Sequence, residues 1–586
     1  MDNSAQAARR WGVEPGYHDI SGHWHAVPEP TLHRIVDALS KGRSEPAVLA
    51  DPRHQQRAFQ GDGSRVWGLA VQLYAVRSSR NWGIGDFGDL RTIVKIAADS
   101  GASVVGLNPL HALLLDRPDM ASPYAPNSRL FLNPLYIAVD LVDGFSQDDP
   151  ALADAIAAVR DSSLVDYRRV AQLKIAALGA AYDRFRSQRS EEQAADFERF
   201  RDERGDSLKR FACFEVLRAR FRGTSWRDWP QPWSNPDQGA IDELRRTESR
   251  ECKFFEFLQW VADRQLARCR REAEQRGLSI GLYLDLAVGV DPAGADAWAN
   301  QKAVLAGLSI GAPPDDFNPS GQNWGLAPFN PHSLPDNDFA AMRQLLAAAM
   351  RHAGAVRLDH VLGLMRLFLV PDGASAAQGA YIRFPFEQLL RVVAEESIKH
   401  RCIFIGEDLG TVPEGFREIS ARWGVWTYRV MMFERRQNGE FKPPSEYPAE
   451  ALATFNTHDL PSFRGWMSGK DLITKRAIGV DPGETGDARS RSQIELRRML
   501  GPVAGDNGPD HFAAAAGFLA ATPSRIVTVA IDDLLDVVEQ VNVPGTIDQH
   551  PNWRRKLPVT LENWTEQPIF RAAVAAFDHA GRGRRP

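Results

Sequence analysis

An α/β fold of eight parallel strands closed into a (β/α)8 barrel, with helical insertions, is what this sequence predicts, and three observations carry the prediction. Eight short apolar runs recur along the chain, at 67–76, 103–110, 278–288, 355–361, 402–409, 428–433, 451–459 and 525–535. Most are apolar on both alternating positions, the pattern of parallel strands buried on two faces rather than of a half-wet antiparallel sheet. Helical patterns separate them, and three runs end on an isolated acid: Asp359, Glu407 and Asp459. Strand and helix alternating through eight strands favour a closed barrel over an open doubly wound sheet.

Taken in chain order, residues 1–60 hold one amphipathic segment, 30–40, among Gly, Pro and His, and read as a small N-terminal helical cap too short to be a catalytic unit. The barrel proper is expected over 61–586. Segment 89–100 is helical and leads from the first run to the second. Between the second and third runs lie about 165 residues, far beyond a normal βα loop, so 111–277 must fold as an insertion. Its pattern is helical, with apolar residues at helical spacing in 174–185, 197–220 and 252–274 among dense Arg and Glu. A solvated face laced with i to i+4 ion pairs is the expectation for those charges. Segment 387–399 links the fourth run to the fifth as another helix. A second insertion, 466–522, mixes Gly and Asp turns with helical patterns at 490–500 and 511–520, and the terminal GRGRRP reads as a frayed basic tail.

Composition sets the outer limits. With 586 residues and 44% hydrophobic content the chain can bury a core larger than one plain barrel needs. A net charge of −5 gives no electrostatic footprint for nucleic acid. Four scattered cysteines, Cys213, Cys252, Cys269 and Cys402, form neither a disulfide framework nor a CxxC metal knuckle, and read as free thiols of a reducing cytoplasm. The N-terminus lacks an apolar signal core, and no stretch approaches the roughly 18 to 20 apolar residues of a membrane span. The expected setting is cytoplasmic, with no membrane and no obligate protein partner.

The chemistry begins in AVRLDH, 355–360. In a parallel barrel the C-terminal strand ends supply catalytic groups, which places Asp359 where a nucleophile would stand. Arg357 lies two residues earlier on the same strand face, able to hold the carboxylate ionised and oriented. An isolated RxD also fits a salt bridge that merely closes the core. CIFIGEDLG, 402–410, delivers Glu407 and Asp408 from an apolar strand into a glycine turn, where partial desolvation raises a glutamate's pKa and suits it to donate a proton. ATFNTHDLPSF, 453–463, ends its strand on His458 and Asp459. One acid to attack, one to protonate a leaving oxygen and a third to orient sugar hydroxyls form a glycosyl-transfer set.

VRLDH, IGEDLG and NTHD, in that order on the fourth, fifth and seventh strands, resemble glycoside hydrolase family 77, the amylomaltases or 4-α-glucanotransferases of the α-amylase clan. GAPPDDFNPSGQNWG (311–325) resembles the family's substrate loop, and ASPYAPNSRLFLNP (121–134), which contains Ser122, resembles its donor-side segment. NVPGTIDQHPNW (542–553), opening on Asn542, resembles its C-terminal signature. YLDLAVGVDPAGADAW (283–298) is similar to the clan's first conserved region and on that basis places Asp291 at the site. The similarity runs from Trp67 to Leu557.

The resemblance implies that Asp359 is the nucleophile, Glu407 the acid/base and Asp459 the transition-state stabiliser. It implies that Arg357 steadies Asp359, that His458, Tyr124, Asp291, Ser122 and Asn542 serve substrate binding, and that Gln322 and Trp324 shape the acceptor side. An indole in a Pro/Gly-rich loop also offers a flat apolar face to a sugar, the alternative being a loop residue that packs on the barrel. The implied reaction is ping-pong transfer within maltodextrin or glycogen-type α-1,4-glucans, without nucleotide, metal or redox cofactor. Two departures from the family stand out: Leu460 and Pro461 follow THD where many members carry a polar residue, and the region before the first strand is shorter than in the long enterobacterial type. A retaining hydrolase of the same clan and a catalytically silent glucan-binding barrel are the alternatives.

Two other signals fail on context. GIGDFG at 83–88 fits GxGxxG between strand and helix, yet residues 77–82 intervene, and the second strand ends in Asn108 and Pro109 where an acid should bind ribose. His23 and His25 lack the further ligands a metal site needs.

Overall fold

The computed structural model describes residues 3–583 except 20–21, 42, 47–48, 51, 53–55, 146–148, 315–319 and 502–508. Eight parallel strands close into a barrel: β1 (Val66–Val71), β2 (Val104–Leu107), β3 (Gly281–Leu286), β4 (Ala355–Leu358), β5 (Ile403–Gly406), β6 (Trp426–Val430), β7 (Ala451–Thr454) and β8 (Ile526–Ala530). Each neighbours the next in sequence, and β8 pairs with β1. All eight apolar runs of the sequence are strands. Every run extends two to five residues past its strand, because those last residues leave the ladder to form the rim; Leu73–Ala75, after β1, is already a 3-10 turn. Tyr283, Ile405, Trp426, Tyr428 and Leu452 fill the barrel interior as one cluster.

The helix Phe87–Asp99 explains GIGDFG. Asp86 caps it, accepting the N–H groups of Gly88 at 2.9 Å and Asp89 at 3.2 Å, while the Asp89 carboxylate accepts the Asp86 N–H at 3.2 Å. Such a capping box is worth about 1 kcal/mol. Arg80 bridges Asp86, Asp89 and Asp140, and a Cβ at Gly85 would lie 2.0 Å from the Leu73 carbonyl oxygen. The glycines and acids serve a tight turn and a buried helix start.

The 111–277 segment contains the helices Pro150–Asp161, Tyr167–Gln188, Glu191–Arg220, Gln238–Thr247 and Ser249–Gln275, and a two-stranded ribbon of His111–Ala112 with Ser128–Leu132. The expected i to i+4 pairs are present, as in Arg210 with Asp206 and Arg270 with Glu274, but other charges turn inward. Glu256 is buried between Arg201 and Arg245, and buried Asp263 receives Arg351 and His352 from the approach to β4. These ion pairs dock helix to helix and helix to barrel.

Four further elements among the described residues lay outside the sequence reading. Ala380–Arg383, Arg366–Pro371, Leu308–Ala312 and Gln322–Leu326 form an antiparallel sheet in that order. Residues 1–60 contain, besides the expected helix at Glu29–Ser40, a helix Asn3–Arg10 and a hairpin Gly16–His18/Trp24–Ala26. Their Trp11, Val13, Leu32 and Ile35 share a hydrophobic cluster with Ile310, Leu367 and Leu369 of the sheet. In 466–522 the two expected helices are present as Gly486–Leu500 and Pro509–Ala521, and Lys470–Ala477 is added; Gly469, at φ 67°, ends Phe463–Ser468 and starts the next.

The terminal tail is also corrected as far as Gly583. Arg582 is buried and donates to the carbonyls of Ala520, Val66, Thr522 and Ser524 at 2.6–3.0 Å, clamping the end of Pro509–Ala521 to the base of the barrel. Residues 584–586 lie outside the described residues. All four cysteines are buried and free. Among the described residues no helix is long and apolar enough to cross a membrane.

Candidate active site

β4 presents Arg357 and, just past its end, Asp359 on one face. The parallel register sets Arg357 level with Asp285 of β3, so a single guanidinium reaches both acids. It donates through Nη1 to Asp285 Oδ1 at 2.8 Å and Oδ2 at 2.7 Å, and through Nη2 to Asp359 Oδ1 at 2.9 Å. Arg357 is itself buried, so these charge-assisted bonds act with little screening. Asp359 keeps 22% of its side chain exposed. Burial pushes its pKa up to about 6, with Glu407 and Asp285 adding to the rise and Arg357 opposing it.

Glu407 follows β5 and is buried. Its Oε2 accepts the His360 N–H at 2.8 Å and its Oε1 the Leu409 N–H at 2.9 Å. His360 reaches it by adopting the left-handed region, φ 50°, an uncommon choice for a non-glycine residue and one that concentrates at functional sites. The turn fits because β5 ends in glycine: a Cβ at Gly406 would lie 2.7 Å from Val361 Cγ1. Burial raises the Glu407 pKa, and Arg357 and the two N–H groups oppose that rise. Asp408 points elsewhere. It accepts Thr427 Oγ1 at 2.7 Å, the Tyr428 N–H at 3.1 Å and Arg417 Nε at 2.6 Å, pinning β6 beside β5.

Across the rim, Tyr124 from the 121–134 segment donates its O–H to Asp285 Oδ2 at 2.6 Å. Its oxygen is 3.0 Å from His458 Nδ1, which assigns the proton of that contact to the imidazole. His458 Nε2 then stands 3.3 Å from Asp459 Oδ2. Burial would lower the His458 pKa, but the charge and hydrogen bond of Asp459 outweigh it and raise the imidazole. Burial likewise pushes Asp459 up, and His458 with Asn542 more than reverse this, leaving it low. Asn542 Nδ2 donates to Asp459 Oδ1 at 2.6 Å, and Gln540 Nε2 holds the Asp459 carbonyl at 2.8 Å. One hydrogen-bonded chain thus runs Asp359, Arg357, Asp285, Tyr124, His458, Asp459, Asn542, and Asp459 stays 45% exposed at its open end.

The remaining residues named from the sequence fall differently. Ser122 shapes the loop, its Oγ accepting the Tyr124 N–H at 3.3 Å. Trp324, on Gln322–Leu326, donates Nε1–H to Gln322 Oε1 at 3.0 Å and sets its ring edge-on to His360 at 5.2 Å, beside Glu407. Residues 315–319 of the 311–325 loop lie outside the described residues. Asp291 is the exception: its Oδ1 accepts the Ala293 N–H at 2.7 Å and its own N–H bonds the Pro126 carbonyl, so it ties two loops together. The acid of that segment that joins the network is Asp285, the inward residue of β3. The rule that selected Asp359, an acid near the C-terminal end of a buried strand, applied equally to Asp285. A cleft opens against the network, walled by residues of β1 to β4 and β6 to β8 and lined by Gln72, Asn108, Tyr124, Asp285, His458 and Asp532 among others; the three rim acids stand beside it rather than in its walls.

A closed parallel barrel with a linked set of carboxylates at its C-terminal rim defines a (β/α)8 enzyme. The sequence matches the family Glyco_hydro_77, 4-alpha-glucanotransferase, over residues 71–561. It is 35% identical to a 4-alpha-glucanotransferase of Haemophilus influenzae over 85% of this chain and 76% of the relative. It is also 35% identical to one of Mycobacterium tuberculosis, over 92% and 79%. The fold superposes on the crystal structure of amylomaltase from Corynebacterium glutamicum with a TM-score of 0.86 at 26% identity, covering 98% of this chain and 99% of the other. The chain belongs to glycoside hydrolase family 77.

Proposed function

We propose that Asp359, Glu407 and Asp459 are the nucleophile, the acid/base and the transition-state stabiliser of the 4-alpha-glucanotransferase reaction that this family member carries out. The supporting observation is the single hydrogen-bonded chain from Asp359 to Asp459 through Arg357, Asp285, Tyr124 and His458. A core-closing salt bridge needs only Arg357 and one acid, whereas this chain orders two rim carboxylates through four polar side chains and leaves both open to a ligand.

In the first half-reaction, an Asp359 oxygen attacks the anomeric carbon of an α-1,4-linked glucosyl unit. The bond from that carbon to the bridging oxygen breaks, and Glu407 gives its proton to that oxygen. Arg357 bonds Asp359 directly and favours its ionised form; Glu407, desolvated and without a direct cation, suits the proton-carrying role. Asp459, held by Asn542 and His458, faces the sugar hydroxyls as positive charge develops at the anomeric centre. In the second half, Glu407 takes the proton of an acceptor 4-hydroxyl, whose oxygen displaces Asp359 and restores the α-configuration. The bond broken and the bond formed are alike, so the exchange requires no energy source or cofactor.

Glucans of the maltodextrin or glycogen type are the proposed substrates, and the cytoplasm the proposed location. Incubation with maltotriose, with products resolved by chain length beside Asp359→Asn, tests the reading. Glucose plus a ladder of longer glucans, absent in the variant, is the expected result; shorter sugars alone would mean hydrolysis, and unchanged maltotriose would leave a glucan-binding protein.

A further inference from the structure

Trp553 lies at the end of the 542–553 segment, in the left-handed region at φ 60°. For a bulky aromatic residue that backbone is a true outlier, sustained only where the surroundings fix it. Here they do: its N–H bonds the Val541 carbonyl at 3.3 Å, and its carbonyl accepts the Tyr167 O–H at 2.7 Å. The segment is braced against Gln540 and within itself as well. His550 Nε2 meets the Gln540 carbonyl at 2.9 Å, and Asn552 joins the Val543 N–H at 2.9 Å to Thr546 Oγ1 at 2.8 Å.

The strained backbone puts a buried indole against two links of the catalytic chain at once. Its ring centre lies 5.5 Å from Tyr124 and 5.3 Å from His458, tilted 46° and 48°, while Tyr124 and His458 stack on each other at 4.4 Å. Hydrogen bonds fix the two rings in their planes only while neither ring rotates; turning the imidazole breaks its contacts to Tyr124 and Asp459 together. The indole blocks that rotation on one side, and its electron-rich face suits a cationic imidazole. The stretch from Gln540 to Trp553 grips Asp459 through Asn542 and Gln540, so one rigid loop controls both ends of the Tyr124 to Asp459 link.

We infer that Trp553 is a positioning residue of the transfer reaction: it touches no reacting atom but keeps Tyr124 and His458 aligned, so that Asp459 and the Asp285–Arg357–Asp359 group hold one common geometry. The inference rests on the catalytic roles proposed above. Because misplacement by about 1 Å can cost about 10²-fold, removing part of the indole should act on turnover rather than on substrate capture.

The test is a double-mutant cycle with Trp553→Phe, Tyr124→Phe and the double variant, reading kcat and KM for maltotriose and the melting temperature of each. A phenyl ring keeps the site filled but cannot span both neighbours. Trp553→Phe is expected to lower kcat about tenfold with KM within about threefold. The double variant should lose little more than Tyr124→Phe alone, since both changes break one link. Additive losses, or a Trp553→Phe enzyme within about twofold of wild type in kcat, would overturn the inference while leaving the catalytic roles intact. A wild type with no transfer at all would remove the catalytic reading itself. A fall in melting temperature with kcat per active site unchanged would reduce Trp553 to core packing.

Discussion

Replacing Arg357 by lysine keeps the charge and removes the fork, and the structure sets what that costs. The guanidinium makes three charged hydrogen bonds, two to Asp285 at 2.8 and 2.7 Å and one to Asp359 at 2.9 Å. A lysine ammonium is a point charge on a flexible stem and cannot reproduce planar, bidentate contacts. One acid keeps a cation and the other loses its partner at a buried site, a change that costs about 3 kcal/mol or more. If that loss is felt in the transition state, kcat/KM falls about 150-fold at 1.36 kcal/mol per decade. Steady-state glucose release from maltotriose measures it, with melting curves to confirm folding. The pH profile gives an independent sign. Arg357 opposes the upward shift that leaves Asp359 at about 6, so weakening that contact raises the pKa further and moves the acid limb of kcat/KM to higher pH. A folded Arg357→Lys enzyme within about fivefold of wild type, with an unmoved acid limb, would refute the reasoning.

Other outcomes follow from single contacts. Asp285→Asn should lose about 100-fold or more in kcat/KM, because Arg357 and Tyr124 both lose a charged partner, whereas Asp291→Asn should stay within about threefold; equal effects in maltotriose kinetics would restore Asp291 to the site. Burial pushes buried Asp533 up to about 8, so between an unfolded pKa of about 4 and that value the native state holds a proton the unfolded chain releases. Stability therefore falls as pH rises through this window. Asp533→Asn mimics the neutral acid, and its melting-temperature advantage over wild type should widen from pH 5 to about pH 8 and then level off; a gap independent of pH would contradict this. Arg582→Ala should speed thermal inactivation, at about 2–4 kcal/mol for four carbonyls losing a buried cation, with kcat retained; an unchanged inactivation rate would contradict the clamp.

What the sequence disclosed depended on how local its cause was. Buried parallel strands must be apolar on both faces, so all eight runs were visible, and acids at their ends stood out against them. Short strands such as Gln322–Leu326, with two of its five residues exposed, carry no such run, and the four-stranded sheet stayed hidden. Asp285 was passed over although it stands near the C-terminal end of its strand; only the register of β3 against β4 shows that it meets Arg357. Asp291, at a turn three residues beyond that run, was named only because its segment resembles the clan's first conserved region. Arg582 looked like a tail because basic, glycine-rich ends usually fray, and its four carbonyl partners come from distant positions. Trp553 was quoted within its motif, but a left-handed backbone that turns an indole onto two catalytic-site rings has no signature in residue type.

The central claim, that Asp359 becomes glycosylated, is tested most directly by trapping the intermediate. Glu407→Gln, given α-maltotriosyl fluoride, needs no acid for the first half-reaction and lacks the base for the second. Intact mass and peptide mapping should then find one glycosyl ester, on Asp359. An ester on Asp459 or Asp285, or a fluoride consumed with no adduct and inverted product, would contradict the account.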